Sequence, residues 1–178
     1  GFGLVLIYSA TRWNNDNRSV VVQALGIFLG VLVYIALSTV DLELFVEKSW
    51  KWLLAFNVVL ILALIPFGWG DTATGNKNWI SIPGTPLNVQ PAEVAKLTFI
   101  LLLAWQCARL QKKGISRPSS VFQLVAHTGL MGGLIAVVSG DMGMTLVYLF
   151  LFVMLAWTSG VRLRWFVLGA AVCAGGVA

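Results

Sequence analysis

The sequence predicts an all-α, polytopic membrane protein, on three observations. Of 178 residues, 58% are hydrophobic and 11% charged, against about 25% charged in soluble domains. The mean hydropathy is +0.87. The apolar residues fall in blocks of helix-spanning length, not in short alternating strands. Twelve Lys and Arg with seven Asp and Glu could not cover such a core in water, which excludes a soluble domain. The basic residues lie between apolar blocks and form no basic face interleaved with aromatics, so they read as topology signals and no nucleic-acid partner is expected. Cys107 and Cys173 stand in apolar surroundings without CxxC spacing, which predicts neither a disulfide nor a metal site.

Taken in order, a short apolar stretch over 1–11 predicts an incomplete first helix. It lacks the basic leader and small-residue cleavage site of a signal peptide. Crossings follow over 19–40, 50–69, 92–108, 120–139 and 142–158, and an incomplete one over 163–178. These make about seven segments in a single transmembrane domain, 1–178, expected to be a fragment cut at both ends. If the first helix runs outward, the inside loops 41–51, 109–119 and 159–164 hold Lys48, Lys51, Arg109, Lys112, Lys113, Arg117, Arg162 and Arg164. The outside loops hold only Arg12, Arg18 and Lys77. That bias fixes the expected orientation through the positive-inside rule. The outside connection 70–91 is the long one, and Pro83, Pro86 and Pro91 with Trp79, Ile80 and Ile82 predict an ordered or re-entrant loop.

Few ionisable residues fall within the spans, where each is costly enough to need a partner, a wet cavity or an interfacial escape. Gln90-Pro91-Ala92-Glu93 opens the fourth helix, with Pro91 suited to its first position. Glu93 is read either as a first-turn carboxylate favoured by the helix dipole or as the partner of Lys96, three residues deeper on the same face. Lys96 either pairs with Glu93 or snorkels to the outer headgroups. Asp141, in Ser139-Gly140-Asp141-Met142-Gly143, either caps the sixth helix or faces a polar cavity. On the inferred topology Trp79, Glu93, Lys96 and Asp141 converge on the outer half of the membrane. Mixed acid and base there suits a charged lipid headgroup or phosphate. His127 reads as a hydrogen-bonded packing residue, Trp50, Trp52 and Trp69 as interfacial anchors, and Gly26, Gly30, Gly132 and Gly133 as sites of close helix packing. No metal-ligand cluster is expected.

The order of these features resembles the SEDS family (shape, elongation, division and sporulation: RodA, FtsW and SpoVE). The resemblance rests on Ser9-Ala10, Gln23 with Gly30, Gly75-Asn76-Lys77-Asn78-Trp79-Ile80, Gln90-Pro91-Ala92-Glu93 with Lys96, and Asp141-Met142-Gly143. It implies a ten-helix bundle in the bacterial cytoplasmic (inner) membrane, with the active site facing outside. It also implies peptidoglycan polymerisation in cell elongation or division, in which glycan passes from the undecaprenyl-pyrophosphate donor lipid II to the growing strand. The implied partners are lipid II, membrane lipids and a class B penicillin-binding protein. Trp79, Glu93, Lys96 and Asp141 match family positions lining the central cavity. There Lys96 would counter pyrophosphate charge, Glu93 would hold Lys96 and Asp141 would shape the polar wall. No cofactor is called for, and a divalent cation is left open.

Three departures matter. The family loop reads G-A-x-R-W, whereas Asn76 and Asn78 stand here for Ala and Arg, removing a guanidinium that would hold phosphate. Thr145 falls one position late against the family's P-D-L-G-T, so no role passes to it. The family's essential Asp lies in the outer loop after the seventh helix, so the catalytic residue is expected downstream of Ala178 and the fragment alone is expected to be inactive. Two other classes stay open at this point: a lipid-precursor flippase or transporter using the same cavity, and a non-catalytic scaffold of the division or elongation machinery. The absence of convincing broken-helix pairs or repeats favours the enzyme over the transporter.

Overall fold

The computed structural model describes residues 17–70, 75–84 and 88–175. The expected first helix, 1–11, lies outside the described residues. The described helices are α1 (Asn17–Ser38), α2 (Leu42–Leu62), α3 (Leu64–Phe67), α4 (Pro91–Gln111), α5 (Pro118–Leu134), α6 (Met142–Thr158) and α7 (Leu163–Gly175). Two short strands, β1 (Ile80–Ser81) and β2 (Asn88–Val89), lie in the long connection. The spans Val20–Ser38, Leu42–Phe67, Pro91–Gln111 and Pro118–Ser139 are long and apolar enough to cross a membrane, and α6 is a shorter apolar helix.

The chain divides into two compact units, one of residues 1–45 and 81–87, the other of 46–80 and 88–178. In the first, α1 is a 22-residue helix with no acidic residue in its first turn and no basic residue in its last. After it, the Asp41 carboxylate accepts from the backbone N–H of Glu43 (3.1 Å) and Leu44 (3.2 Å). This cap starts α2 at Leu42, eight residues before the expected start at 50. Glu43, Glu47, Lys48 and Lys51 are therefore helical, and the expected inside loop 41–51 shrinks to the turn around Asp41. The cause is a capped N-terminus overriding a charged, weakly apolar run.

In the second unit, α2 breaks at Ala63 before α3. Pro66 explains the break, because it has no N–H to donate to the Leu62 carbonyl four residues back. Helices α4, α5 and α6 form the core. Phe99, Leu103, Leu124, Met131, Ile135 and Tyr148 are buried, while Leu97, Phe122, Leu146 and Phe150 on the same helices are more than 60% exposed. Large apolar side chains facing outward across a whole bundle are the surface expected of a protein solvated by lipid.

Polar pairs join the helices inside this core. Thr98 donates to Asn57 Oδ1, His127 Nδ1 lies 3.0 Å from Gln106 Oε1, and the Tyr148 hydroxyl donates to the Ala92 carbonyl at 2.8 Å. Such bonds hold helices together where no hydrophobic drive separates protein from lipid. The Phe99 ring lies between Tyr148 and His127, at 4.8 and 5.2 Å between centroids. His127 thus has the hydrogen-bonded packing role read from the sequence. A methyl at Gly132 would meet Thr145 Cγ2 at 3.7 Å, an ordinary contact, and one at Gly133 would meet nothing within 4 Å. Neither glycine is required by a close helix crossing among the described residues.

Candidate functional site

The site forms where the N-termini of α4 and α6 share one end of the bundle, tied by the Tyr148–Ala92 bond. Two local structures meet the sequence expectation there. In the first, Pro91 opens α4, with Gln90 as its N-cap and no side-chain capping bond. The positive end of the helix dipole at this first turn favours the Glu93 carboxylate. One turn on, Lys96 Nζ lies 2.7 Å from Glu93 Oε2, with Lys96 22% and Glu93 50% exposed. The dipole and ion-pair readings of Glu93 are therefore compatible, and Lys96 takes its ion-pair reading. Its ammonium has three donors, so the pair leaves donor capacity for a ligand.

The second structure is built around Asp141. Helix α5 ends in a π-helical turn, Ile135–Ser139, followed by Gly140 in the left-handed conformation, φ 72°. The left-handed backbone favours glycine at Gly140, and a Cβ there would lie 2.7 Å from Asn76 Oδ1 and displace that amide. Asp141 then caps α6, its Oδ1 accepting from Met144 N–H at 2.8 Å. Its other oxygen accepts from Asn78 Nδ2 at 3.1 Å. Asn78 Oδ1 in turn accepts from the Ser139 hydroxyl, and Lys77 N–H donates to the Ser139 carbonyl at 3.0 Å. Asn78 therefore uses both ends of its amide to fasten the 75–80 segment across the α5–α6 junction.

Trp79 follows directly. Its backbone pairs reciprocally with Trp69, the two N–H···O distances being 3.0 and 2.9 Å, and both side chains remain 40–47% exposed. A Cβ at Gly70 would fall 1.9 Å from the Asn76 carbonyl oxygen, so the chain after α3 and the 75–80 segment are in backbone contact. The long connection is thus ordered in its described part, as its prolines and aromatics predict.

Of the four expected site residues, the structure pairs Glu93 with Lys96, makes Asp141 a helix cap and loop anchor together, and leaves Trp79 half exposed beside that anchor. Among the described residues no hydrogen bond or ion pair joins the Glu93–Lys96 pair to Asp141 or Trp79. Asn78, which the sequence marks only as the replacement of an Arg, is the residue that holds the loop. A short polar side chain three positions after a loop glycine is the only sequence signal for it. Tyr148 gives no signal, since its partner is a backbone carbonyl 56 residues away.

Apolar spans surrounding a polar, partly open end define a multi-pass helical membrane protein. Within that class, the chain belongs to the FtsW/RodA/SpoVE family: the family's sequence model, described as "Cell cycle protein", matches residues 1–178. It is 30% identical over 187 residues to the probable peptidoglycan glycosyltransferase FtsW of Allochromatium vinosum, covering 99% of this chain and 45% of that protein. It is 40% identical over 123 residues to the corresponding protein of Pasteurella multocida, covering 65% and 30%. The chain thus spans less than half the length of these relatives. The fold matches the rod shape determining protein RodA of Thermus thermophilus with a TM-score of 0.72 at 23% identity, covering 98% of this chain and 58% of that one. A chain of a peptidoglycan synthase complex matches with a TM-score of 0.73, covering 98% and 52%.

Proposed function

We propose that this chain supplies the donor-binding half of a peptidoglycan glycosyltransferase in the bacterial cytoplasmic membrane, with the Glu93–Lys96 end facing outside. The observation that carries the reading is the Glu93–Lys96 ion pair at the start of a membrane helix. Family membership and the naming of relatives as probable peptidoglycan glycosyltransferases support it. The charge bias of the loops supports the orientation.

In this reading the donor is lipid II. The 4-hydroxyl of the acceptor sugar attacks the donor's anomeric carbon, a C–O bond forms, and the bond to the pyrophosphate oxygen breaks with its electron pair. The hydroxyl proton leaves to a base outside this chain's described site. Lys96 faces the negative charge that builds on the departing undecaprenyl pyrophosphate, an electrostatic role strongest in a site of low dielectric. Glu93 holds the ammonium in place. Asp141 and Asn78 hold the loop, and Trp79 offers an aromatic face to a sugar. A class B penicillin-binding protein is the partner that would cross-link the product. The solved relative drawn from a complex described as coordinating polymerisation and crosslinking supports that choice.

The test is to reconstitute the full-length protein in liposomes with lipid II and follow both polymer formation and movement of labelled lipid II between leaflets. Glycan polymer that appears without any need for translocation supports the proposal. Translocation without polymer would replace the enzyme by a flippase, and neither activity with normal partner binding would favour a scaffold.

A further inference from the structure

At the opposite end of the second unit lies a cavity of about 410 Å³. It is walled by the C-terminal end of α4, the N-terminal turn of α5 and one turn of α2. Along α4 it begins at Trp105, about 13 Å from Lys96 at the ordinary helical rise, and Arg109 lies about 20 Å from that lysine, so it is separate from the site above. Arg109, Lys113 and Arg117 line it, and none of its lining residues is acidic. Among the described residues none of these three cations pairs with a carboxylate, the ion pair there being Glu93–Lys96.

Trp50 and Trp105 form one wall, stacked at 5.7 Å with an interplanar angle of 24°. The Arg109 guanidinium lies 5.5 Å from the Trp105 ring centroid, an arrangement that leaves its in-plane N–H donors free for two oxygens of one phosphate. Ser119, in the first turn of α5, adds a hydroxyl, and the positive end of that helix dipole opens on the same space. Phe122, next to the lining residue Gln123 and one turn on from Ser119, is apolar and 72% exposed. An anion held here would therefore sit at the headgroup level with a lipid-facing surface beside it.

We propose that this cavity seats the phosphate of an anionic phospholipid headgroup from the leaflet at that end, which the loop charges assign to the cytoplasm. Three uncompensated cations select for net negative charge. The tryptophan pair packs the glycerol region, and the exposed surface around Phe122 takes the acyl chains. Basic pockets between membrane helices on the cytoplasmic side take such headgroups for the same physical reason. The inference does not depend on the polymerase reading.

The experiment measures equilibrium binding of fluorescent short-chain phosphatidylglycerol to the full-length protein in neutral detergent, with short-chain phosphatidylcholine and inorganic phosphate as competitors. Phosphatidylglycerol is expected to bind at least about 20-fold more tightly than phosphatidylcholine, and each cation removed to weaken it about fivefold. Arg117 lies against Gly114, within 3.1 Å of a Cβ built there, so the decisive variant is Lys113→Gln at an exposed position. It should lose about fivefold for phosphatidylglycerol and nothing for phosphatidylcholine. Lys113→Glu should lose more. Equal binding of the two lipids by the wild type, or unchanged phosphatidylglycerol affinity in both Lys113 variants, overturns the proposal. Displacement by inorganic phosphate at the same concentration as by the lipid also overturns it, because the site would then be one for a free anion.

Discussion

At the end of the bundle that carries Glu93, Lys96 and Asp141, each of these charges has a partner within the protein: Glu93 with Lys96, and Asp141 with Met144 N–H and Asn78. At the other end, Arg109, Lys113 and Arg117 face one cavity whose lining has no carboxylate. The first arrangement is preorganised, holding a loop and an ammonium in fixed positions before any ligand arrives. The second is electrostatically open and gains its counter-charge from outside. The contrast teaches that charge at the two membrane faces serves different ends, position in one case and attraction in the other.

The polar end should be the fragile one, and the largest loss is expected from Asp141→Ala. It removes the α6 cap and leaves the Asn78 amide without its acceptor, costing about 2–4 kcal/mol. Thermal unfolding of the full-length protein in detergent, or its abundance in membranes, checks this. Asp141→Asn sharpens the point, since it keeps an oxygen for Met144 N–H. A half-turn of the Asn78 amide would then give the new amide nitrogen an acceptor while Ser139 becomes the acceptor on the other side. Its loss should stay below about 1 kcal/mol. If the two variants are equally destabilised, the network is not what the carboxylate supports.

Gly140→Ala comes next, at about 1–3 kcal/mol, because a Cβ there meets both a left-handed backbone and Asn76 Oδ1. Protease accessibility of the 75–80 segment should rise in the same variant. Tyr148→Phe, which unties α6 from the first turn of α4, should cost about 1 kcal/mol, a usual value for a polar bond between membrane helices. At the opposite end, Lys113→Gln should change stability by less than about 0.5 kcal/mol, since an exposed cation without a partner adds little to folding. A large loss there would erase the contrast between the two ends.

Much of this was readable from the chain. Apolar block length located the crossings, Pro91 marked a helix start, and the spacing of Glu93 and Lys96 foretold their pair. The start of α2 was not readable, because Glu43, Glu47, Lys48 and Lys51 mask a helix whose beginning depends on two hydrogen bonds from Asp41. Nor was Asn78. Its partners Ser139 and Asp141 lie 61 and 63 residues on, and an Arg-to-Asn replacement judged against a family pattern suggests loss where the structure shows a clamp. The basic cavity was not readable either: in the sequence Arg109, Lys113 and Arg117 read as topology signals, and only the fold reveals that they line one cavity with Trp50 and Trp105.

The central claim is that the Glu93–Lys96 end handles the donor's pyrophosphate. The direct measurement is the rate of lipid II polymerisation by the full-length protein carrying Lys96→Gln, compared with wild type at matched membrane abundance and thermal stability. The account predicts a loss of about 100-fold or more, as when a preorganised group facing transition-state charge is removed. A rate within twofold of wild type at equal abundance would contradict it.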